Sequence, residues 1–135
     1  MNRDQLRLLI QGPIATLPTA FDAAYALDTA TMAELTEWWV QQGLRTGKSV
    51  VKVAAAMGEG PDLDDSEWPK LLETVVNSAN GRVPVVCGLR TKNTLHTIED
   101  ARRAHRQPDG RRGSVRTARH GGSGPARWMV EVAVT

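Results

Sequence analysis

Three short apolar runs, each followed by a segment with helical spacing, most constrain the fold of this chain. The runs lie at about 12–21 (GPIATLPTAF), 49–57 (SVVKVAAAM) and 83–88 (VPVVCG). The second and third are continuous and rich in β-branched residues, as strands covered on both faces are. Helical segments are expected at about 29–42, 65–80 and 94–105. Their apolar positions are Met32, Leu35 and Trp39; Leu72, Val75, Val76 and Ala79; and Leu95, Ile98, Ala101 and Ala104. Each set recurs at three- and four-residue intervals, one face of a helix. Strand-then-helix alternation implies a parallel α/β sheet with right-handed crossovers and helices outside. Three units cannot close an eight-stranded barrel, and both outer strands would keep an unpaired edge.

The boundaries carry their own chemistry. Pro13 and Pro18 confine the first strand. Asp28 or Thr31 can cap the first of these helices, and Thr31 with Glu34 has capping-box spacing. The same spacing recurs at Asp64 and Glu67, with Leu63 placed as a hydrophobic staple. A start at Ser66 would instead bring Pro69 into the first turn, where its missing N–H costs nothing. Gly43 and Asn80-Gly81 are natural stops. Between the second strand and its helix runs Ala54-Ala-Ala-Met-Gly-Glu-Gly-Pro-Asp-Leu63. Loops after the C-terminal ends of parallel strands hold ligands in α/β proteins, so this stretch is the candidate site.

Several functions are disfavoured by the totals. At 135 residues and 41% apolar content the chain makes one ordinary domain, and a net charge of +2 does not demand a nucleic-acid partner. The single cysteine, Cys87, excludes an internal disulfide framework and fits a reducing, cytoplasmic setting; it reads as a small buried hydrophobe. No apolar run has the roughly 18 residues of a membrane span, and the N-terminus has no secretory pattern. His96, His105 and His120 lack ligand spacing, so no metal is expected. Trp38 and Trp39 read as packing residues. Lys52 reads as a strand lysine at a solvated end, and Glu59 as a residue that holds its loop by backbone hydrogen bonds.

After Ala104 the character changes. Residues 105–135 are rich in Arg and Gly, with Arg106, Arg111, Arg112, Arg116 and Arg119 continuing from Arg102 and Arg103. Such a segment buries too little apolar surface to offset its ordering entropy. Only Trp128–Val134 has the alternation of a short strand.

The carriers of a resemblance are Pro18-Thr-Ala-Phe-Asp22, Gly58-Glu59 followed by Leu63, Gly81-Arg-Val-Pro-Val-Val-Cys-Gly88, and Asn93-Thr94 followed by Ile98. In that order and spacing they resemble the first part of the dihydrodipicolinate synthase and N-acetylneuraminate lyase family, over about Gly12–Ala104. The resemblance implies a (β/α)8 TIM barrel of which residues 1–104 would be the first three β/α units, followed by an irregular tail at 105–135. It also implies class I aldolase chemistry. A lysine on the sixth strand forms a Schiff base with pyruvate or a related 2-oxo acid, and a tyrosine near the end of the fifth shuttles protons. A desolvated lysine is nucleophilic, and its iminium is an electron sink. Family members are commonly homo-oligomers. No cofactor is implied.

By family match the substrate-binding positions are Thr19, Ala56, Met57, Gly58 and Glu59. The family's glycine-threonine-threonine-glycine-glutamate loop reads here as Ala55-Ala56-Met57-Gly58-Glu59. Ala56 and Met57 offer no side-chain hydrogen bond, which leaves backbone amides to meet an anion. The strands that carry the tyrosine and the Schiff-base lysine have no counterpart in the sequence, so no catalytic residue is identifiable. The expectation is a truncated, inactive relative of a lyase for a small 2-oxo acid or aldehyde, its tail disordered or read in a shifted frame. The alternative is a non-enzymatic relative whose basic tail binds nucleic acid.

Overall fold

The computed structural model describes residues 3–89, 94–105 and 128–130. Helix α1 (Arg3–Leu9) is followed by β1 (Ile14–Thr16), α2 (Thr29–Gln41), β2 (Val50–Val53), α3 (Glu67–Ala79), β3 (Val85–Cys87), α4 (Thr94–His105) and β4 (Trp128–Val130). The four strands form one parallel sheet in the order β1–β2–β3–β4. Register is direct: Ile14 lies beside Val50, Val51 beside Val85, and Val85 beside Trp128.

Two faces follow from this register. Val51, Val53, Val85 and Cys87 point toward the helices and join Trp68, Leu71, Leu72, Val75, Val76 and Ala79 of α3 in one buried core. Met32 of α2 completes that layer, and α2 packs against α3. Alternation along a strand sends Ile14, Thr16, Val50, Lys52 and Val86 to the other face. Thr16, Lys52 and Val86 stand in one row across three strands. Lys52 is half-buried within that row, not at the solvated strand end expected from its sequence position.

The strands are shorter than the apolar runs. β1 occupies three residues of the 12–21 run, because Gly12 has φ +78 and, past Leu17, residues 18–21 leave the sheet. Phe21 bridges Leu27 across a tight turn in which Asp22 Oδ1 accepts from Ala24 N and Ala26 N. β2 stops at Val53 rather than 57, since Ala54 turns to φ +51 and 3₁₀ turns follow at Ala56–Gly58 and Gly60–Asp62. Strand geometry cannot continue through a left-handed residue.

Caps settle where the helices begin. Asp28 accepts from Thr31 N at 3.0 Å and from Thr31 Oγ1 at 2.6 Å, which holds its carboxyl below the usual range. At α3 both readings of the start contribute. Ser66 is the residue preceding the helix, yet Asp64 Oδ1 does the capping, accepting from Ser66 N at 2.6 Å and Glu67 N at 2.7 Å. Glu67 replies to Asp64 N at 3.1 Å, a reciprocal capping box shifted outward. Asn80, at φ +46, ends α3. On α4, Leu95 is 73% and Ile98 42% exposed, so part of its apolar spacing is not covered by the described residues. Helix α1 has no counterpart in the sequence reading. The proposed cap Asn93 and the arginine-rich segment 106–127 lie outside the described residues.

Candidate substrate loop at the strand ends

The loop after β2 is built from backbone contacts. Ala55 O accepts from Gly58 N at 2.9 Å and from Gly60 N at 3.0 Å, folding 55–60 into two successive turns. A Cβ at Gly60 would lie 2.0 Å from Ala54 O, and one at Gly88 would lie 2.4 Å from the same atom. The Ala54 carbonyl is therefore held between two glycines, one on its own loop and one at the end of β3. Gly88 N donates to Val53 O at 2.8 Å and closes the seam.

Thr19 reaches this loop from the end of β1. It is buried, and its Oγ1 donates to Gly58 O at 2.5 Å. A side chain at Gly58 would meet Leu17 O at 2.5 Å, so the loop lies directly against the first strand's exit. The structure thus brings together Thr19 and Gly58. Ala56, Met57 and Glu59 are exposed beside them, Met57 at 90%. The Glu59 carboxylate takes no part in the bonds that fix the loop. Glu59 instead adopts φ +58, and its carbonyl accepts from Asp62 N at 3.1 Å. Its backbone carbonyl thus helps to hold the loop, together with Thr19 Oγ1 and the Ala55 carbonyl.

A residue the sequence reading used only as a cap proves to link the layers. Glu67 Oε1 accepts from Leu27 N at 2.8 Å while Oε2 serves Asp64 N, so one carboxylate joins the turn after β1 to the start of α3. Trp68, next to it, is fully buried, and its Nε1 donates to Gly88 O at 3.1 Å. Cys87 is buried in the core as expected of a small hydrophobe. Among the described residues no group of three His, Cys, Asp or Glu side chains converges as a metal site would require. None of the described helices is long and apolar enough to cross a membrane.

The sequence model of the dihydrodipicolinate synthetase family matches residues 9–113. The chain belongs to that family. The match runs past Ala104 to Gly113, into the arginine-rich segment. The 4-hydroxy-tetrahydrodipicolinate synthase of Exiguobacterium sibiricum is 35% identical over 98 residues, which are 73% of this chain and 32% of that protein. The enzyme of the same name from Brucella abortus is 33% identical, with the same shares covered. Among solved structures, the dihydrodipicolinate synthase DapA-2 of Bacillus anthracis superposes with a TM-score of 0.62 at 31% identity, over 71% of this chain and 32% of its own. N-acetylneuraminate lyase of Proteus mirabilis shares the fold, with a TM-score of 0.63 at 22% identity over 72% of this chain and 32% of its own. The dihydrodipicolinate synthetase family fold is a TIM barrel, and the sheet described above is part of one. The chain spans about a third of the length of the curated relatives it matches.

Proposed function

We propose that this chain is a catalytically silent member of the family's Schiff-base lyase lineage, whose ancestral substrate was pyruvate or a related 2-oxo acid. The observation that carries the reading is the loop after β2. Its backbone is held at the strand ends, where a substrate carboxylate would be bound, but the side chains it presents are Ala56 and exposed Met57. Thr19, the hydroxyl nearest the loop, spends its proton on Gly58 O. What remains for an anion is backbone N–H, which binds charge without supplying a proton relay. The family's imine-forming lysine and its tyrosine have no counterpart among these 135 residues. Residues 1–104 act in this reading as the barrel part, and beyond the family match at Gly113 the frame is read as shifted, with Trp128–Val130 still adding a strand beside β3.

Borohydride reduction in the presence of pyruvate tests the assignment. An imine-forming lysine keeps a permanent mass increase, so the mass of this chain is expected to stay unchanged. A saturable adduct on Lys52 or any other single lysine would overturn silence and restore the enzyme. Translation of the coding DNA in all three frames beyond the codons for Ala104 to Gly113 tests the frame. A fourth strand, a tyrosine-bearing fifth and a lysine-bearing sixth are expected in another frame, and their absence would sink that part of the reading.

A further inference from the structure

Two thioethers serve the region of the candidate loop, in opposite settings. Met57 is 90% exposed on the 3₁₀ turn Ala56–Gly58. Met32 is 1% exposed in the core, and its Sδ accepts from Ala20 N at 3.2 Å. Ala20 follows Thr19, whose hydroxyl donates to Gly58 O. The Ala20 carbonyl in turn accepts from Asp28 N at 2.9 Å. Both backbone groups of Ala20 are therefore tied to the start of α2, and the Met32 sulfur makes one of the two ties.

The fold asks nothing comparable of Met57. The bonds that shape 55–60 run from Gly58 N and Gly60 N to Ala55 O and from Thr19 Oγ1 to Gly58 O. None of them passes through the Met57 side chain. An oxidant reaches one sulfur without opening the fold, whereas the other is enclosed and already engaged as an acceptor.

We propose that Met57 is a site of reversible oxidation, at which a peroxide converts the thioether to the sulfoxide while Met32 stays reduced. A sulfur lone pair attacks one oxygen of hydrogen peroxide, and the S–O bond forms as the O–O bond breaks. The proton of the transferred oxygen passes to the other, which leaves as water. Sulfur loses two electrons and the peroxide gains them. A dithiol-dependent sulfoxide reductase reverses the step, its two thiols becoming a disulfide as the oxygen leaves as water. The sulfoxide makes an apolar side chain polar. At Met57 that change alters the surface of the loop at the strand ends and leaves its backbone bonds intact. On Met32 the same oxygen would enter the packed core and break the tie to Ala20 N. The mark is independent of the catalytic silence proposed above.

The full chain, treated with hydrogen peroxide and then digested with trypsin, tests this. The peptides Val53–Lys70 and Leu8–Arg45 carry one methionine each, Met57 and Met32. The first is expected to gain one oxygen at least about ten times faster than the second, because susceptibility follows exposure. Fragment ions distinguish oxygen on sulfur from oxygen on Trp68, Trp38 or Trp39. In denaturant the two rates are expected to converge, which assigns the difference to the fold. The singly oxidised chain is expected to melt as the reduced chain does, and sulfoxide reductase with dithiothreitol to restore its mass. Equal rates for the two peptides in the native chain, loss of the folded state on oxidation of Met57 alone, or a sulfoxide that resists the reductase would each overturn the proposal.

Discussion

Trp68 Nε1 donates to the Gly88 carbonyl at 3.1 Å, tying the first turn of α3 to the exit of β3 beneath the candidate loop. The indole is fully buried. Trp68→Phe keeps most of the ring and removes the donor, leaving Gly88 O without its indole partner. The expected loss is about 1–3 kcal/mol. Trp68→Ala adds a cavity and is expected to lose about 3–5 kcal/mol. Denaturant melts of the two variants separate the bond from the packing, and a Trp68→Phe variant as stable as the parent chain would show that the hydrogen bond contributes nothing.

Gly60 is expected to resist any side chain. A Cβ there falls 2.0 Å from Ala54 O, a backbone atom with no room to retreat. Gly60→Ala is expected to cost about 3 kcal/mol, the upper range for forced overpacking. Gly47, at φ +82 with nothing within 4 Å, is the control. Gly47→Ala bears only the left-handed backbone penalty, about 1 kcal/mol. Chemical denaturation of both variants reads the difference.

Acid should weaken the α2–α3 contact through one pair. Arg82 grips Glu37 with its two terminal guanidinium nitrogens, and its Nε and Nη2 donate to Ala79 O and Ser78 O as well. The Arg82 hydrogen bonds, helped by Gln41, lower the Glu37 carboxyl from its ordinary 4.5 to about 2. A depressed folded-state value gives stability that is full above the unfolded value and lost as pH falls through the folded one. The window is therefore about pH 4.5 down to 2. Glu37→Gln is expected to flatten the acid limb of a stability–pH curve there, while Asp28 and Asp64, also lowered by capping bonds, keep part of it. Both partners are half-exposed, so added salt should shrink the effect. An acid limb identical to that of the parent chain would refute the role of the pair.

The loop side chains and the loop scaffold should separate by mutation. Met57→Ala alters an exposed group and is expected to change stability by less than about 0.5 kcal/mol. Thr19→Val keeps the shape but deletes the donor to a buried carbonyl, at about 1–3 kcal/mol. Thermal melts of the two variants check the contrast.

Parts of the architecture were legible because the apolar spacing that builds core helices is strong. Met32 on α2 and the Leu72, Val75, Val76 and Ala79 set on α3 sit where periodicity puts them. Strand ends were not legible. Nothing in Ser49–Met57 announces that Ala54 turns left-handed, since alanine rarely does so; two glycines from different segments leave room for the carbonyl it presents. The exposure of Leu95 on α4 was equally hidden, because a helical stripe says that a face is apolar and not whether anything covers it. At the site, the bond of Thr19 Oγ1 to Gly58 O joins positions thirty-nine residues apart, and Glu67's second bond, to Leu27 N, depends on a turn forty residues earlier.

The double-glycine seam around the Ala54 carbonyl bears on how such a chain changes over time. Because the loop's shape is written in backbone atoms, substitutions at 56 and 57 meet little selection from folding. Side chains at these two positions can be exchanged while the backbone that presents them persists, so a change of chemistry there leaves no structural scar.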